Sequence, residues 1–188
     1  YLLGARAWSP SALQQYARCP YRFALRGIFG LRPAERAVGI QRMDPATRGD
    51  LYHQTQFELL RDLAARQLLP IAPGTLDAAL DRLDAVLGQV AERAEAKLAP
   101  AIPQIWRSEV QSIRADLRGW LQQRALREAQ WTPQFYELSF GLKDPVGRDP
   151  RSRKEPVELP GGYRLQGSID LVERHASGAL RVVDHKTG

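Results

Sequence analysis

The sequence has very little cysteine and lysine: one cysteine, Cys19, and four lysines among 188 residues. A single cysteine excludes an internal disulfide and is typical of an intracellular protein. No apolar run approaches the roughly 18 residues that a membrane span requires, and the first residues lack the layout of a signal peptide. We therefore expect a cytoplasmic protein with no membrane partner. Since the chain has no initiator Met and stops directly after its best motif, we also expect it to be a piece of a larger protein.

Arginine is what the sequence has in excess. It supplies 23 of the 27 basic residues, and the formal net charge is +6. Arginine makes bidentate contacts with phosphate, and a basic balance favours an anionic partner such as nucleic acid. A bias of genome composition explains the same excess equally well. The hydrophobic fraction of 44% is that of an ordinary globular protein with a real core.

Helical patterns dominate the first two thirds of the chain. Ser9-Pro10 and Asp44-Pro45 are typical helix starts, with a capping side chain before proline in the first turn. Apolar residues at helical spacing and the intervening prolines predict helices at residues 9–18, 20–28, 44–69, 75–98 and 104–130, with a connector at 30–43. Trp106 and Trp120 are interpreted as helix-packing core residues.

The last third changes to a strand pattern. Alternation predicts a strand around Phe135 to Phe140, with Glu137 on the same face as Phe135. A polar, basic loop follows at 144–156, and three strands of a meander are predicted at 156–159, 163–172 and 179–184. We expect one domain over 1–188: an N-terminal segment at 1–43, a helical region at 44–130 and a β-rich core at 131–188.

Two predicted strands each deliver a carboxylate, Asp170 and Asp184, and Lys186 lies two residues after the second. Mg²⁺ takes one or two protein carboxylates together with waters and phosphate. Period two places Asp184 and Lys186 on one face of a strand, where the ammonium can contact an attacking water. Glu137 offers a third ligand, and His53 lies on an amphipathic helix. The pattern therefore favours metal-dependent phosphodiester hydrolysis.

These residues and their surroundings resemble the PD-(D/E)XK nuclease superfamily, in particular its RecB-like branch and the nuclease domain of AddB-type helicase–nuclease subunits. Five stretches carry the resemblance, at residues 9–23, 48–53, 137–140, 167–172 and 182–188. The D-x-K pattern alone is weak. The ordered set, with Cys-Pro-x-x-Phe and Gly-x-x-x-His before it and Thr-Gly after it, is far more specific.

The resemblance implies an α/β fold, a restriction-endonuclease-like core with a small mixed sheet flanked by helices. It implies that a Mg²⁺ or Mn²⁺ site is formed by His53, Glu137, Asp170 and Asp184, and that Lys186 serves the nucleophile. The implied activity is a DNA nuclease, an exonuclease by preference, in end processing, recombination or repair, with a helicase subunit or domain as partner. In the family a cysteine equivalent to Cys19 is the first ligand of a 4Fe–4S cluster. The other three cysteines and a Gln-x-x-x-Tyr helix would follow Gly188, so two expectations stay open: the fragment is inactive, or its activity depends on residues beyond those given.

Other interpretations stay open. A lone helical histidine such as His53 is more often structural than a ligand, and Glu137 could be a solvated edge residue. A basic cluster could contact the DNA backbone or be a solvated loop; its members are Arg148, Arg151, Arg153 and Lys154. We assign no role to the side chains of His175 and His185. The alternative function is a non-cleaving nuclease fold that binds DNA or a helicase partner, and a weaker one is hydrolysis of another phosphoester.

Overall fold

A computed structural model describes residues 6–32, 43–143 and 148–185 of the chain. One short strand is followed by the helices and then by the remaining strands, which gives the mixed α/β fold that was predicted. The helices are α1 (Pro10–Arg18), α2 (Pro20–Phe23), α3 (Pro45–Ala65), α4 (Leu76–Leu98) and α5 (Pro103–Arg127), with a π-helical turn at Ala24–Ile28 after α2 and a 3-10 turn at Pro73–Thr75 before α4. The strands are β1 (Ala7–Trp8), β2 (Trp131–Phe140), β3 (Val157–Leu159), β4 (Tyr163–Leu165), β5 (Gly167–His175) and β6 (Leu180–Val183). No helix in these described ranges is long and apolar enough to cross a membrane.

Local capping chemistry sets the predicted helix starts. The Ser9 hydroxyl accepts a hydrogen bond from the Ala12 amide at 3.2 Å, and Pro10 opens α1. The Asp44 carboxylate accepts from the Thr47 amide at 3.0 Å, and Pro45 opens α3. Both starts are confirmed, because each pairs an orphan amide with a side-chain oxygen.

The strands form two sheets rather than the predicted meander. One sheet has the order β1-β4-β3 and the other the order β2-β5-β6. The single strand predicted at 163–172 was wrong: it is interrupted at Gln166, whose amide donates to the Trp8 carbonyl at 3.0 Å. β4 therefore pairs with β1, a two-residue strand too short to carry a sequence pattern.

The backbone falls into two compact units. One comprises residues 1–38 and 137–169, and the other comprises 39–136 and 170–188, so the border crosses β2 and β5. The second unit holds the main core, in which α3, α4 and α5 pack on one another. Its fully buried side chains include Leu59, Leu63, Leu83, Leu87, Ile113, Leu117 and Leu121. Trp106 is buried in this core and Trp120 packs against it, which confirms their predicted packing role.

An ion pair joins α3 to α4 at the edge of this core. Arg82 Nε donates to Asp62 Oδ2 at 2.7 Å, and Arg66 Nε donates to the same carboxylate at 3.0 Å. The hydrogen bond from Arg82 lowers the pKa of Asp62, with burial opposing and Arg66 adding to the effect.

We expect Asp62→Asn to destabilise the protein by about 0.5–1 kcal/mol at pH 7, since the pair is partly exposed to solvent. A depressed carboxyl pKa gives stability that is present above the unfolded value of 3.8 and is lost as the pH falls through the folded value. The difference between wild type and variant in urea unfolding should therefore shrink below about pH 4. A difference that stays constant down to pH 2.5 would contradict this assignment.

Candidate metal centre

Helix α3 presents His53 from the edge of the main core. The neighbouring residues Leu51, Tyr52 and Thr55 are buried, whereas His53 itself is only half-buried. Its Nδ1 lies 3.7 Å from Asp170 Oδ2 on β5. The apolar stripe of α3 therefore fixes the helix so that the histidine faces a carboxylate.

The pairing of β5 with β6 brings the two predicted aspartates together. In this antiparallel ladder Leu171 lies opposite Val183 and Val172 opposite Val182. Continuing the register by one residue places Asp184 opposite Asp170. The His185 amide then donates to Asp170 Oδ2 at 2.7 Å, which pins the end of β6 to this carboxylate.

Glu137 lies in β2 with a left-handed backbone, at φ 50°. Few residues other than glycine adopt this conformation, and such strain gathers at functional sites. Burial along β2 recurs every third residue, at Pro133, Tyr136 and Ser139, so the alternation predicted for this strand was wrong. The Glu137 side chain accepts a hydrogen bond from Ser168 Oγ at 3.2 Å.

Within the second unit, one imidazole nitrogen and one carboxylate oxygen form a pair that could hold a metal ion, at His53 and Asp170. Two ligands of one small divalent ion are separated by about 3 to 4 Å, given bonds of about 2.0–2.2 Å. The distance of 3.7 Å between His53 Nδ1 and Asp170 Oδ2 lies within this range, so these two atoms could bind one ion as they stand. The metal-binding roles of Glu137 and Asp184 stay predictions.

His185, to which the sequence assigned no role, anchors the end of β6. Its Nε2 lies 3.2 Å from the Gln56 amide nitrogen on α3. Its ring meets Trp120 edge-on at 6.0 Å and lies 6.5 Å from Tyr52. Burial lowers the pKa of His185, and the charge of Asp170 opposes that shift. A neutral imidazole accepts the Gln56 hydrogen bond, and only tertiary packing reveals this role.

The remaining predicted residues are placed as follows. Lys186 lies outside the described residues. Cys19 caps α2, where its Sγ accepts from the Arg22 amide at 3.4 Å. Arg151 pairs with Asp149 at 3.1 Å. The DNA contacts of the basic loop and the cluster role of Cys19 stay predictions.

A second group of charges lies behind the predicted site and was missed entirely. Glu173 is fully buried on β5 and pairs with Arg124 of α5 and with Arg181 of β6. Arg124 and Arg181 also share Glu128. No pattern in the sequence separates Glu173 from a solvated strand residue, since its importance depends on the opposite helix.

Comparison with known proteins identifies the family. A search of curated proteins returns no match. The family model for the PD-(D/E)XK nuclease superfamily matches residues 7–188, nearly the whole chain. Its nucleases use divalent metals, which agrees with the pair of His53 and Asp170 described above. The chain therefore belongs to the PD-(D/E)XK nuclease superfamily and has its restriction-endonuclease-like fold.

Proposed function

We propose that this protein is a metal-dependent nuclease that hydrolyses phosphodiester bonds in DNA. The observation that carries the proposal is the meeting of His53 and Asp170, from two elements distant in sequence, in a chain of nuclease family. The donor set of one imidazole and two carboxylates suits Mn²⁺ and also admits Mg²⁺. When bound, the ion would neutralise phosphate oxygens and lower the pKa of a water.

Each site residue then has a task of its own. His53, Glu137 and Asp170 hold the ion, and Asp184 approaches from the neighbouring strand to complete the acidic side of the site. Lys186 holds the attacking water and a phosphate oxygen through its ammonium group. The hydrogen bond from the His185 amide keeps one oxygen of Asp170 oriented, so that the other stays available as a ligand.

The resemblance to the RecB-like branch supports a role in DNA end processing, recombination or repair, with exonuclease activity and a helicase partner. We propose that the chain is one nuclease domain of a longer protein. Cys19, which is partly exposed, would then provide the first ligand of a 4Fe–4S cluster. Arg148, Arg151, Arg153 and Lys154 are proposed to contact the DNA backbone.

Adding Mn²⁺ should stabilise the protein, because only the folded state brings the ligands together. At about 100 times its Kd the ion contributes about 2.7 kcal/mol, or about 5–10 °C in Tm for a chain of this length. We expect His53→Gln to lose most of this shift. His175→Gln is the matched control, because His175 bonds to Gln130 and Ser177 instead.

Cleavage of linear DNA should require Mg²⁺ or Mn²⁺ and stop with EDTA. Equal Mn²⁺ shifts in the two histidine variants would contradict the metal site. Salt-sensitive DNA binding by the intact protein without cleavage would instead support the non-cleaving binding module. Hydrolysis of small phosphoesters but not of DNA would point to a different phosphoesterase.

A further inference from the structure

The first described segment of the chain is basic and has no acidic side chain. Residues 6–32 contain five arginines, at 6, 18, 22, 26 and 32, and neither aspartate nor glutamate. Arg6 is engaged by the fold, since it donates to the Gly27 carbonyl at 2.9 Å and lies over the Trp8 ring. Within the described residues, Arg22 and Arg26 form no ion pair, and both are exposed. Among the residues that the structure describes, these two arginines therefore add positive charge with no ion-pair partner.

The helical stretch formed by α2 and the π-helical turn has one inward side. Phe23 is buried and packs on Trp8 at 5.0 Å and on Tyr16 at 5.3 Å. A Cβ at Gly27 would come within 3.0 Å of the Phe23 ring, so position 27 lies over the same side. The opposite side of the stretch must then face away from this aromatic cluster.

That opposite side carries exposed aromatic rings next to the arginines. Tyr21 is 73% exposed and Phe29 67% exposed. Tyr21 lies in α2 and Phe29 directly follows the π-helical turn, and Arg22 and Arg26 lie between them in sequence. We call these four residues the Tyr21–Phe29 face.

We propose that the Tyr21–Phe29 face binds single-stranded nucleic acid. Rings on which bases stack, interleaved with cations that follow the phosphates, are the means by which proteins hold unpaired strands. A duplex cannot use this face fully, because its bases are stacked on each other. The inference rests on the proposed function and deepens it, since it names an unpaired strand as the part of the substrate that this surface recognises.

Fluorescence anisotropy with a labelled 12-nucleotide single strand tests the proposal. EDTA is present throughout, so that binding is measured without cleavage. We expect Tyr21→Ala and Phe29→Ala each to weaken binding at least about fivefold, the lower end for loss of one stacked base. Arg22→Gln and Arg26→Gln should each reduce the slope of log K against log salt by about 0.7.

The chain offers matched controls on α5. Leu126 is 77% exposed and Arg127 is exposed, so Leu126→Ala and Arg127→Gln remove a similar apolar surface and a similar charge elsewhere. Both should bind the strand as wild type does. Tyr21→Leu keeps apolar area without an aromatic ring and should bind as weakly as Tyr21→Ala. Unchanged Tm values for all variants establish that folding is intact.

Several outcomes would overturn the proposal. They are absence of single-strand binding by wild type, equal affinity for the duplex of the same sequence, and alanine variants that bind like the α5 controls. Wild-type affinity in Tyr21→Leu would also overturn it, because binding would then need only apolar area and no aromatic ring. Cleavage is assayed separately with Mn²⁺, so a protein that binds strands in EDTA but never cuts refutes the nuclease and leaves this face intact.

Discussion

Asp170→Asn should reduce metal-dependent DNA cleavage by at least about 10³-fold, which corresponds to a loss of about 4 kcal/mol of transition-state stabilisation. The amide has the size of the carboxylate and can still accept the hydrogen bond from His185. It removes the negative charge that faces His53 at 3.7 Å and that would balance a divalent ion. The variant should therefore fold normally and fail in catalysis. Single-turnover cleavage of linear DNA in Mn²⁺ measures the effect.

Asp81→Asn is the matched control, since Asp81 is exposed on α4. It makes the same change of charge and size, and should cleave within twofold of wild type. Lys186→Ala should lose activity to a similar degree as Asp170→Asn, but should keep the Mn²⁺-induced rise in Tm. Full activity in Asp170→Asn or in Lys186→Ala would remove the basis for the proposed nuclease.

Glu173→Leu should destabilise the fold by about 3–5 kcal/mol, because it removes the buried anion and leaves the buried Arg124 guanidinium with Glu128 as its remaining carboxylate partner. Glu173 is completely buried, and Arg124 is 3% exposed. Arg181 Nε donates to Glu173 Oε2 at 2.6 Å, and Arg124 is bonded to the other oxygen. Urea unfolding followed by circular dichroism measures the loss.

Two comparisons isolate the cause. Arg93→Ala breaks an exposed pair with Glu58 and should cost less than about 1 kcal/mol. In Glu173→Leu combined with Arg124→Met, much of the lost stability should return, since apolar side chains of similar volume can replace a buried pair. A cost for Glu173→Leu no greater than that of Arg93→Ala would show that the buried network contributes little.

The parts of the fold that could be predicted depend on neighbours in sequence. Ser9-Pro10 and Asp44-Pro45 mark helix starts because each cap bonds an amide three residues later. Thr75 shows the limit of such signals: it precedes α4 as predicted, but its hydroxyl bonds to Ala72 instead of capping the helix. The break at Gln166 depends on a partner more than 150 residues away and could not be predicted.

The residue types of the candidate site were predicted from the sequence. The contacts that hold these residues in place were not. The spacing of Asp170 and Asp184 predicted two adjacent carboxylates, and the pairing of β5 with β6 extends to Leu171 and Val183, the residues next to the two aspartates. The left-handed backbone of Glu137 is a property of its tertiary surroundings, as is the packing of His185. Neither feature can be predicted from the local sequence, because glutamate and histidine are common on strands and loops.

One helix holds two parts of the site. His53 and Gln56 are neighbours on α3, and they contact Asp170 and His185 respectively. If α3 shifts along the sheet, the histidine ligand and the spacer of the D-x-K segment are drawn in the same direction. The packing of α3 therefore couples the histidine ligand to the end of β6, so that a substitution which loosens this helix should disturb both ends of the site together.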